Sequence, residues 1–115
     1  MDDVIYKIAP KSLWDEAEAA GVFVGAPIDL QDGFIHFSTA AQVVETANKH
    51  FAGQEDLLLV AIDVRRLRED VKWEVSRGGA LFPHLYGQLE LSAVIWVKAL
   101  PVGSDGKHVF PELSP

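Results

Sequence analysis

The sequence predicts one α+β domain spanning residues 1–115. Three observations lead there. Helical periodicity is confined to two segments in the N-terminal half. Strand-like patterns dominate the second half. No repeat, low-complexity tract or Pro/Gly/Ser-rich linker divides the chain.

The elements follow in order. VIYKIA (4–9) alternates, with Val4, Tyr6 and Ile8 on one face and Ile5 and Lys7 on the other, and reads as a strand that Pro10 ends. Ser12 is the expected N-cap of a helix over LWDEAEAA, with Asp15 three residues on, and Gly21 is its expected stop. Residues 22–33 read as irregular, with turn chemistry at Gly25-Ala26-Pro27 and Asp32-Gly33. A strand is expected over 34–38. Thr39 and Gln42 then form a T-x-x-Q capping box for a second helix, whose apolar stripe is Ala40, Val43, Val44, Ala47 and Phe51 and whose stop is Gly53. LLLVAIDV (57–64) is nearly continuously apolar, as a strand buried on both faces would be. VKWEV (71–75) alternates as a short strand, 76–88 is loop-like, and the last strong strand is expected over 93–99.

Composition excludes several function classes. There is no cysteine, which rules out disulfides, thiolate metal sites and cysteine nucleophiles. The formal net charge of −7 disfavours a nucleic-acid partner. Arg65, Arg66, Arg68, Lys72 and Arg77 do cluster, but Asp63, Glu69, Asp70 and Glu74 are interleaved with them, as on a solvated, ion-paired turn. The longest apolar run, LLLVAI, is too short for a membrane span, and MDDVIYKIAP lacks the layout of a signal peptide. A cytoplasmic protein with no membrane or nucleic-acid partner is expected. No glycine-rich phosphate loop, G-x-S-x-G elbow or short-spaced metal-ligand motif occurs, so no metal site or bound prosthetic group is predicted.

Two stretches point to a site instead. In GFIHFST (33–39), His36 and Ser38 share one face of an otherwise apolar strand, just before a helix N-terminus. In RGGALFPHLYG (77–87), Pro83 and Gly87 preset the backbone, and an extended segment would point His84 and Tyr86 the same way. Each has a plain structural alternative: a core histidine, a cap, an aromatic plug. Glu74, on the strand at 71–75, could accept ribose hydroxyls or steady positive charge if it converges with the histidines. Arg77 has the chemistry to hold a phosphate or carboxylate, and Glu90 and Ser92 raise a weaker version of the same question.

YKIA (6–9), Trp14, DGFIHFST (32–39), WE (73–74) and FPHLYG (82–87) together resemble domain-of-unknown-function family nine-five-two over nearly the whole chain. By fold that family resembles the ADP-ribosyltransferase superfamily. The resemblance implies a small split β-sheet, barrel-like core with an NAD-type cleft. It also implies a His that holds the ribose, an aromatic or Ser against the nicotinamide, and a late Glu. His36 matches the first position and Tyr86 the second. The third falls on Glu74 or Glu90, both expected as catalytic alongside His36. Ser38, Arg77, His84 and Tyr86 are expected to bind substrate, with NAD or a nucleotide-ribose compound as the small-molecule ligand. A buried carboxylate would stabilise the charge that develops on the sugar as the nicotinamide–ribose bond breaks. The alternative is a non-catalytic module that binds a small metabolite or peptide in the same pocket.

Overall fold

A computed structural model describes residues 3–67 and 70–113, with the side chain of Arg77 outside the description. Arg68 and Glu69 of the basic cluster also lie outside the described residues. The order is β1 (Val4–Pro10), α1 (Lys11–Ala20), β2 (Val22–Phe23), α2 (Pro27–Asp32), β3 (Ile35–His36), α3 (Ala40–His50), β4 (Leu57–Asp63), β5 (Val71–Val75), β6 (Leu81–Leu85), β7 (Leu89–Glu90) and β8 (Val94–Ala99). The class is α+β, as expected, but with three helices among the described residues rather than two.

The strands form a sheet ordered β1-β4-β8, a second ordered β3-β6-β5, and a two-stranded pair, β2-β7, all antiparallel. An isolated bridge, Tyr6 to Ser38, joins the two larger sheets through a pair of backbone hydrogen bonds of 2.8 and 2.9 Å. Among the described residues the sheets do not close into a barrel.

β4 is central and buried on both faces, as its apolar run requires. Alternation sends Val60 and Ile62 to one side, where they meet Ile5, Trp14 of α1 and Ile35, Phe37 and Leu85 of the other sheet. Leu57, Leu59 and Ala61 go to the opposite side and meet Tyr6, Ile8 and the Val43–Ala47 stripe of α3. That stripe is narrower than the sequence suggests, because Val44 is exposed.

Helix boundaries depend on local chemistry. α1 starts at Lys11, straight after Pro10, so Ser12 lies inside the helix and is not its cap. Gly21 closes it at φ 82°, a left-handed conformation that costs glycine nothing, and its N–H reaches Ala17 O at 2.8 Å. α3 starts after Thr39, whose N–H donates to Gln42 Oε1 at 3.0 Å, which is one arm of the expected box.

Two segments correct the sequence reading. Residues 22–33 contain β2 and the six-residue α2. The signals for α2 were Pro27 at its first position and Gly33 beyond its end at φ 86°. Residues 81–85, read as loop because of Pro83, are the middle strand of their sheet. Pro83 is tolerated there although proline avoids central strands. It sits opposite Trp73, and its carbonyl accepts the Phe37 N–H at 3.1 Å.

Candidate functional site

The β3-β6-β5 register builds the site. His36 pairs directly with His84, and Lys72 pairs with His84 from the other side. A pleat puts directly opposed residues on the same face, together with those two positions along. His36, His84, Tyr86, Lys72 and Glu74 therefore share one face of this sheet. Ile35, Phe37, Leu85 and Trp73 share the other, which packs into the core.

On the polar face the rings cluster. His36 and His84 lie 5.3 Å apart, edge to face. Phe34 stacks on His84 with centroids 4.2 Å apart and also touches His36 at 4.7 Å and Tyr86 at 5.3 Å. Each imidazole is held by a carboxylate. Glu74 Oε1 pairs with Nδ1 of His84 at 2.8 Å and accepts the Tyr86 hydroxyl at 2.8 Å. Asp32 Oδ2 pairs with Nε2 of His36 at 2.8 Å. These bonds favour the charged carboxylate, so His84 first and Tyr86 second hold the Glu74 carboxyl below its ordinary range. The same contact with Glu74 raises the Tyr86 phenol.

Beneath this cluster lies a buried ion pair that the sequence reading did not single out. Lys7 Nζ donates to both oxygens of Asp29, at 3.1 and 2.8 Å, and to the carbonyl of His36 at 3.0 Å. Asp29 also accepts the backbone N–H groups of His36 at 3.1 Å and Ala26 at 2.8 Å. The pair thus clamps both backbone polar groups of His36. Burial pushes the Lys7 amine below its ordinary range, and Asp29 opposes that shift. Alternation alone hides this pair, because a strand lysine normally faces water.

A cavity of about 510 Å³ opens beside the cluster. His36, His84, Ser38 and Asp32 line its polar part, and Ile8, Ile28, Phe51 and Phe82 its apolar part. Ser38 is buried, with its Oγ 2.9 Å from Thr46 Oγ1. Two distant sequence motifs therefore do meet at one hollow.

Not every expected residue shares it. Glu74 and Tyr86 stand behind His84 and do not line the cavity, and neither does Glu90, which is paired with Val22 in the two-stranded sheet. Asp32, read from the sequence only as a turn residue, does line it. The expected role of Arg77 falls on a side chain outside the description. Among the described residues no cluster of three or more His, Cys, Asp or Glu could hold a metal ion. No described helix is long and apolar enough to cross a membrane.

Fold and site together define a small α+β protein with an open cavity walled by two carboxylate-paired histidines. The chain belongs to the family described as "Protein of unknown function (DUF952)", which matches residues 8–97. It is similar to protein CC0527 of Caulobacter crescentus. The crystal structure of that protein is 49% identical, with a TM-score of 0.89 over 92% of this chain and 93% of that one. Its solution NMR structure, also 49% identical, gives a TM-score of 0.83 over 92% of this chain and 91% of that one. No curated protein matches the chain.

Proposed function

We propose that the protein binds a nucleotide-ribose compound, NAD among them, in the cavity walled by His36 and His84, and acts on its ribosyl bond as an ADP-ribosyltransferase-like enzyme. The observation that carries the binding reading is the pair of imidazoles, each fixed by a carboxylate, on the polar side of a cavity whose other side is apolar. A sugar suits the first side and a planar base the second. The volume falls within the range of small-molecule sites. Breaking a ribosyl bond needs negative charge near the sugar. Asp32 supplies the carboxylate on the cavity wall, a role that the family resemblance implies for Glu74 or Glu90.

One observation favours the non-catalytic alternative. Asp32, the one carboxylate among the described lining residues, is already engaged by His36. A thermal-shift and ligand-observed NMR screen with NAD, ADP-ribose and nicotinamide tests binding. Nicotinamide release from NAD that Asp32→Asn abolishes supports the enzyme. Binding without release leaves a metabolite-binding module, and no binding by any of the three ends the nucleotide reading.

A further inference from the structure

The outer edge of the histidine-bearing sheet carries a pattern that the cavity does not use. β5 pairs with β6 on one side, and among the described residues no strand pairs with it on the other. The flanking bonds fix which backbone groups face outwards. Tyr86 N–H donates to Asp70 O at 2.9 Å, and Ser76 N–H donates to Ala80 O at 2.9 Å. Along an antiparallel ladder, bonded and non-bonded positions alternate. Lys72 and Glu74 therefore bond to β6, opposite His84 and Phe82. Pro83 agrees, since it has no N–H and its carbonyl goes to Phe37 on the far side. The N–H and C=O groups of Val71, Trp73 and Val75 point away from the sheet, and no described residue meets them. Val75 also leaves its side chain 69% exposed.

Such an edge invites another strand, and proteins often guard it with lysine. Here the guard is matched. Lys72 stands two residues before Glu74, on the same face, with Trp73 between them. Val71-Lys72-Trp73-Glu74-Val75 is therefore complementary to its own reverse. Laid antiparallel on a second copy about Trp73, Val71 faces Val75, Trp73 faces Trp73 and each Lys72 faces a Glu74. The outward N–H and C=O groups at 71, 73 and 75 then all find partners. Lys72 and Glu74 fall in the non-bonded pairs, where Cα atoms lie about 4.5 Å apart and side chains come closest. Both charges are ready for this. Lys72 is exposed and forms no ion pair with a described residue, resting 5.2 Å from the centre of the Tyr86 ring. Glu74 spends Oε1 on both His84 and Tyr86, and its Oε2 accepts no hydrogen bond from a described residue. β8, an edge of the other large sheet, offers no such match, because its only charged residue is Lys98.

We propose that β5 is a self-recognition edge: two copies of the chain pair antiparallel through Val71–Val75 about a two-fold axis at Trp73, with Lys72 of each copy bound to Glu74 of the other. The interface is isologous. It joins the two histidine-bearing sheets into one continuous sheet, with both polar faces on the same side. Each copy lends an ammonium group to the carboxylate that holds the other's His84. One strand pair buries little area, and each chain carries a formal net charge of −7, so the association is weak.

Sedimentation velocity at concentrations up to about 1 mM tests this, with mixed-label NMR reading the register. Wild type should show a concentration-dependent dimer, and intermolecular Hα–Hα contacts should link Lys72 with Glu74. Val75→Pro removes one outward N–H and no bond to β6, so it should weaken the dimer at least about tenfold, as should Val75→Lys at the same exposed position. Lys72→Glu and Glu74→Lys should each weaken it by a similar factor, because like charges then face one another. An equimolar mixture of these two variants should regain wild-type strength as a heterodimer. Amide spectra establish that each variant is folded. If Glu74→Lys does not fold, the Val75 variants and the NMR register decide. A wild type that stays monomeric throughout, intermolecular contacts in another register, or a dimer that both Val75 variants leave intact overturns the proposal. So does a mixture of folded charge variants that associates no better than either alone.

Discussion

The two larger sheets use the same chain chemistry for different ends. In β1-β4-β8 the two paired strands β1 and β4 run seven residues each, and β4 buries both faces. In β3-β6-β5 the strands are two to five residues long, one face is core and the other carries imidazoles, a phenol and a carboxylate. The first sheet is a scaffold whose stability comes from apolar area. The second is a platform whose polar face is ordered by its own hydrogen bonds and opens onto a cavity. Short strands suffice there because the scaffold holds them through the Tyr6–Ser38 bridge and the Lys7–Asp29 pair.

The comparison breaks most severely at that joint. Lys7→Met leaves Asp29 buried with its charge uncompensated and should cost about 3–5 kcal/mol in urea unfolding, with broadened His36 resonances. Within the scaffold, Leu59→Ala removes a side chain with no exposure and should cost about 3 kcal/mol while leaving the site's ring-nitrogen signals in place. On the platform, His84→Ala loses the stacking with Phe34 and one hydrogen bond. It should cost about 1–2 kcal/mol yet abolish ligand binding, the reverse weighting from Leu59→Ala.

A smaller effect is pH-dependent. The folded Glu74 carboxyl lies below its unfolded value, so the stability it contributes is fully present above about pH 4.3, the ordinary value for Glu, and is lost as the pH falls through the folded value. Urea midpoints of wild type and Glu74→Gln should therefore converge on acidification. A gap that widens in acid would contradict the assignment. The smallest change is expected at Arg65→Ala. The Arg65–Asp63 pair is 3.2 Å apart with a largely exposed arginine, and its loss should leave the urea midpoint nearly unchanged.

Much of this was legible in order along the chain. Periodicity, capping residues and continuous apolar runs mark α1, α3, β1, β4, β5 and β8, because each is long enough for burial to impose a pattern. GFIHFST and FPHLYG announce themselves by placing polar side chains among apolar ones. The misses were short or masked by proline. α2 spans less than two helical turns, and β6 carries Pro83, which argues locally against a middle strand.

By itself, then, the sequence determined the class, the longer elements and the two motifs that carry the histidines, since these rest on local periodicity and composition. Tertiary structure decided the rest. The pairing of positions 36 and 84 joins strands 48 residues apart. The burial of Lys7 depends on a carboxylate from α2. Whether a given acid faces the cavity or stands behind a histidine depends on register. Local propensity is blind to all three, because a one-residue slip would reverse every side chain on a strand without changing a letter of the sequence.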